Sequence, residues 1–77
     1  MRIEVLGPGC SKCHEAEKLV REAVAEAGIA AEIVKVGDFQ QMARLGVFAT
    51  PAVVIDGAVK CSGRVPSRKE MLAWLGM

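Results

Sequence analysis

Cys10 and Cys13 are the residues of this chain whose type and spacing can do chemistry. They stand in Gly7-Pro8-Gly9-Cys10-Ser11-Lys12-Cys13, between an apolar stretch and a helical pattern. Two cysteines three apart on a first helical turn face each other, so they can close a disulfide or share a metal. The Gly-Pro-Gly run bends the chain and leaves the first sulfur exposed. Cys10 enters the helix where unpaired N–H groups and the positive dipole end favour a thiolate. That placement lowers a thiol pKa below the ~8.5 of free cysteine. Lys12 and His14 add a weaker, screened positive field. Cys13, one turn deeper, is the shielded thiol. In this arrangement Cys10 attacks a target disulfide and Cys13 resolves the mixed disulfide. Held as half of a zinc site, the pair would need two further ligands. Only Cys61 and His14 offer themselves, and His14, next to Cys13, points elsewhere on the helix; the expectation is no bound metal.

The 77 residues allow one domain, residues 1–77, and a 52% hydrophobic content excludes disorder. A net charge of +1 gives no long-range case for nucleic acid or an acidic partner. No apolar run approaches the ~18 residues that span a membrane, and residues 1–6 read as a strand rather than a leader. Three cysteines, an odd number, argue against a secreted disulfide scaffold, so the expected location is cytoplasmic.

The elements that must position the pair follow from periodicity. Arg2–Leu6 reads as a strand with Ile3 and Val5 on one face. Ala16, Leu19, Val20, Ala23, Val24 and Ala27 recur at helical spacing over 11–27, and Gly28 stops that helix. Glu32–Val36 is a second strand. Asp38 caps a short helix with Gln41 completing a capping-box-like pair, and Phe39, Met42, Ala43 and Leu45 form its apolar stripe. Asp56-Gly57 is a type I′ turn signal between the strands Ala52–Ile55 and Ala58–Ser62. Ser67-Arg68-Lys69-Glu70 is a capping box opening a last helix with Met71, Leu72 and Leu75 inward. Trp74 sits off that stripe, at its edge or in a small exposed patch. Alternation puts Cys61 on one face with Val59, a buried spectator, with a third redox thiol or an intermolecular disulfide as the other readings. Lys60, Arg64, Arg68 and Lys69 make one end mildly basic. The order β-α-β-α-β-β-α implies an α/β fold: a right-handed parallel crossover, an antiparallel hairpin, and a mixed four-stranded sheet with helices on both faces.

Two stretches resemble the thioredoxin superfamily: the strand, loop, Cys10-Ser11-Lys12-Cys13 and helix, and Leu45-Gly46-Val47-Phe48-Ala49-Thr50-Pro51-Ala52-Val53-Val54-Ile55-Asp56-Gly57. The second is similar to the pattern aromatic-Gly-Ile-x-x-x-Pro, apolar strand, Asn/Asp-Gly turn. The resemblance covers nearly the whole chain and implies the minimal thioredoxin-like fold. It is nearest the small, glutaredoxin-sized group called redox-active disulfide proteins. It implies that Pro51 is cis, that Thr50 faces the substrate chain, and that no cofactor is needed beyond the Cys10–Cys13 disulfide. Counting back from Cys10, Glu4 stands where thioredoxin keeps a buried acid that helps deprotonate the resolving thiol; a solvated strand position would also carry it. Gly9 replaces the tryptophan that precedes the first cysteine in thioredoxin, and Ser11-Lys12 replaces both Gly-Pro and Pro-Tyr, the pair that tunes potential.

The resemblance implies a thiol–disulfide oxidoreductase acting on protein disulfides, recharged by a thioredoxin-reductase-like donor, as a monomer or weak dimer. Ser62-Gly63 falls where glutaredoxins hold a turn that touches glutathione, which makes glutathione a further candidate partner. The other class is a metal or metalloid carrier using the same cysteines. Heavy-metal-associated domains, however, run β-α-β-β-α-β, and here a capped short helix precedes the hairpin.

Overall fold

Alternation along the first strand divides the interior in two. In the computed structural model, which describes every residue except Pro8, Cys10 and Met77, β1 is Arg2–Leu6. Its Ile3 and Val5 join a core with Ala16, Val20, Ala23, Val53, Ile55, Met71 and Leu75. Its Leu6 turns the other way, to Val36, Met42, Val47, Ala52 and Val54.

The remaining elements are α1 (Ser11–Ala27), β2 (Glu32–Val36), α2 (Phe39–Arg44), β3 (Ala52–Ile55), β4 (Ala58–Ser62) and α3 (Arg68–Trp74). The sheet has the order β2-β1-β3-β4. β1 runs parallel to β2 and antiparallel to β3, and β3 pairs antiparallel with β4 across the positive-φ turn Asp56-Gly57. Helices α1 and α3 cover the first core, whereas α2 alone contributes to the second. This is the expected α/β fold: β-α-β-α-β-β-α, a mixed four-stranded sheet and helices on both faces. Among the described residues no helix is long and apolar enough to cross a membrane.

Three local readings are corrected. Val59 and Cys61 do not share a face. A bulge places Val59 opposite Val54 and Cys61 opposite Val53, so Lys60 is an extra residue that resets the alternation. Cys61 therefore enters the first core, while Val59 stays 41% exposed. In α2 only Met42 is buried; Phe39 is 69% exposed and Ala43 is exposed too. Six residues make less than two turns, so a single side chain can reach the sheet. Asp38 caps α2 by accepting from the Gln40 N–H at 2.8 Å, and Gln41 returns no bond. Trp74 packs at the edge of the first core.

The capping box of α3 is complete. Ser67 Oγ accepts from the Glu70 N–H at 3.1 Å, and Glu70 Oε1 accepts from the Ser67 N–H at 3.0 Å. Arg64 adds a two-pronged pair to the same carboxylate, 2.7 Å on each oxygen. Arg64 first, then the Ser67 N–H, hold the Glu70 carboxyl down at about 2, below its ordinary 4.5. A pKa depressed in the folded state stabilises above the unfolded value and is lost as pH falls through the folded one. Thermal melts between pH 4.5 and 2 should therefore fall more steeply for the natural chain than for Glu70→Gln. The pair is open to solvent, so 1 M salt should narrow the difference. Parallel slopes at low salt would show that Glu70 carries no such linkage.

Candidate functional site

The parallel pairing of β1 with β2, and the antiparallel pairing that sets Leu6 opposite Ala52, bring three chain segments to one end of the sheet. Gly7 leaves β1 there and donates its N–H to the Val36 carbonyl at 2.8 Å. Thr50 and Pro51 enter β3 there, through a cis peptide bond. The first turn of α1 sets Cys13 against Gly7.

Cys13 is 2% exposed, while its neighbours Ser11, Lys12 and His14 are exposed. Cys10 lies outside the described residues. Gly9, just before it, is exposed with φ +94°, a left-handed conformation that side chains resist. The bare Cα of Gly7 lies directly against Cys13. A Cβ there would overlap the Cys13 sulfur, crowd Cys13 Cβ at 3.1 Å and touch Thr50 Cβ at 3.8 Å.

The segment before β3 is fastened on its far side. Ser62 Oγ donates to the Ala49 carbonyl at 3.1 Å, and the Gly63 N–H donates to the Pro51 carbonyl at 2.9 Å. Pro51 is buried and Thr50 half-buried. Two residues earlier, Phe48 stands 86% exposed. Neither the closeness of Gly7 to Cys13 nor the exposure of Phe48 was expected from the sequence. Glycine at a strand end next to a cysteine pair is compatible with a close approach, and that was the available signal.

The other candidates have partners of their own. Glu4 keeps an ion pair with Arg2 at 3.8 Å and lines a recess of about 250 Å³ with Gln41, Arg44 and Leu45. Cys61 donates to the Arg64 carbonyl at 3.7 Å, and burial pushes its thiol pKa up. Arg64 is engaged by Glu70, and Arg68 by Glu26 across to α1. Among the described residues no three His, Cys, Asp or Glu side chains gather as metal ligands.

Residues 1–76 match the family model of the thioredoxin domain. The chain belongs to the thioredoxin family. Among its thioredoxin relatives, one from Methanothermobacter thermautotrophicus is 42% identical over 71 residues, covering 92% of both chains. A second, from Methanocaldococcus jannaschii, is 44% identical over 69 residues, covering 90% of this chain and 79% of that one. The chain's role is of the oxidoreductase type in general, as its thioredoxin relatives support.

Proposed function

We propose that the chain is a small thiol–disulfide oxidoreductase that exchanges two electrons with protein disulfides through Cys10 and Cys13. The observation that carries this reading is the meeting of buried Cys13, Gly7 and the cis Thr50–Pro51 segment at one end of the sheet. A shielded sulfur suits resolution, because it reacts with what its partner has captured and not with thiols in bulk solvent. In the first step the Cys10 thiolate attacks one sulfur of the target disulfide; a mixed disulfide forms and the other target sulfur leaves as a thiolate. In the second, the Cys13 thiolate attacks the Cys10 sulfur. The Cys10–Cys13 disulfide forms, and the second target sulfur leaves and takes up a proton. The target gains two electrons and two protons, and the chain loses them.

Thr50 and Phe48 give an incoming polypeptide something to rest on. Thr50, half-buried beside Gly7, would meet the substrate backbone, and exposed Phe48, two residues earlier, offers an apolar surface. Ser11 and Lys12, exposed between the cysteines, set the local field and so the potential. A thioredoxin-reductase-like donor would return the electrons.

The test is reduction of insulin in the presence of dithiothreitol, followed as turbidity. The natural chain is expected to accelerate precipitation and Cys10→Ser to leave it at the uncatalysed rate. A purified protein that holds stoichiometric Cu(I) or Zn and reduces no insulin would transfer the reading to a metal carrier.

A further inference from the structure

We infer that Gly7 is a positioning residue for the second step: its missing side chain is the seat in which the Cys13 sulfur sits when it attacks. The inference rests on the exchange reading above. A Cβ on Gly7 would occupy the volume of Cys13 Sγ itself, and it would also press Cys13 Cβ at 3.1 Å. Rotation about χ1 could move the sulfur away from such a methyl but not the Cβ, and in a helix one of the three rotamers is disfavoured by the preceding turn. The sulfur would have to leave its place, or the first turn of α1 would have to lift.

The backbone of Gly7 does not itself demand glycine. Its φ lies outside the left-handed region, unlike that of Gly9. Alanine at 7 is thus compatible with the main chain, and among the described residues its closest contacts are the atoms of Cys13. The collision also falls at a junction, because the same position touches Thr50 Cβ at 3.8 Å. Gly7 is where the strand end, the helix turn and the segment before β3 are spaced from one another, so it sets the sulfur's distance to the substrate-facing loop as well.

A misplaced reacting atom slows a step more than a small stability loss would suggest, since a shift of about 1 Å can cost about 100-fold in rate. The two steps can be timed separately with an aromatic disulfide, 5,5′-dithiobis(2-nitrobenzoate). Capture by Cys10 releases one coloured thiolate, and attack by Cys13 on the resulting mixed disulfide releases the second. Cys61, buried with a raised pKa, reacts on a slower timescale. In Gly7→Ala the first release should keep its natural rate, while the second slows by about 10–100-fold. A separate double-mutant cycle reads the seat without any redox step. Gly7→Ala should lower Tm by at least about 5 °C, through overpacking, in the natural background. In the Cys13→Ala background the larger part of that loss should vanish with the sulfur, leaving only the smaller cost of the 3.1 Å contact with the Cβ that alanine keeps.

A second release at the natural rate in folded Gly7→Ala overturns the inference, as does an equal Tm loss in both backgrounds. If the natural chain itself gives no second release, the exchange reading fails. The Tm cycle then decides the seat alone.

Discussion

Serine in place of Cys13 is expected to turn the protein from a turnover catalyst into a trap. Capture by Cys10 needs only the first thiolate, so Cys13→Ser should still form one mixed disulfide per chain with a protein disulfide. Resolution needs the second sulfur, so insulin reduction should drop to the uncatalysed rate. Cys10→Ser should lose both steps, and that asymmetry is the mark of assigned roles, not of two equivalent thiols. Non-reducing electrophoresis and intact mass measure the adduct directly. The same variant mixed with oxidised glutathione reports whether glutathione is a partner, as an adduct of one glutathione per chain. Because Cys13 is 2% exposed against Gly7, serine brings a hydroxyl into a small buried site. If that hydroxyl finds no acceptor it costs about 1–3 kcal/mol, so Cys13→Ala is the companion variant. Equal trapping by Cys10→Ser and Cys13→Ser would overturn the assignment.

Truncating Met71 to alanine is expected to cost more stability than any surface change. Met71 is fully buried in the first core, and within α3 it is the only buried side chain. Leu75, just past the helix, is the other buried anchor at that end. Removing a buried methionine side chain costs about 2–5 kcal/mol from lost transfer energy and an unfilled cavity. A small domain's total stability starts near ~5 kcal/mol, so most of the margin goes. Each kcal/mol moves Tm by about 4–8 °C at this size, so a fall on the order of 15 °C or more is expected by circular dichroism. Trp74→Ala, at the core's edge, should lose less. A Met71→Ala variant melting within a few degrees of the natural chain would mean that α3 is held by something other than its core contact.

The element order could be read in advance because its signals are local. Helical spacing over 16–27, the Ser67/Glu70 box and the Asp56-Gly57 turn each lie within a few residues, and each forms as its own chemistry dictates. The face assignments failed where they depended on a partner. Whether Val59 looks up or down is decided by the extra Lys60 in its pairing with β3, and nothing in Ala58–Ser62 alone announces a bulge. Phe39 is as apolar as Met42, yet a helix of less than two turns has room to bury only one of them. The cysteine pair and Thr50-Pro51 were legible as motifs. The fit of Gly7 to the Cys13 sulfur was not, because it depends on how a strand end and a helix turn are spaced in three dimensions.

The extra residue in β4 also bears on how this molecule shares a crowded solution with copies of itself. β4 is an edge strand, and its outer backbone groups could template a neighbour's strand. The bulge interrupts the regular spacing of those groups at mid-strand, and the residue it adds is a lysine. A second sheet docking there would meet broken register and a positive charge at the same point. In so short a chain, this one insertion guards a whole edge against fibre-like stacking without a covering helix.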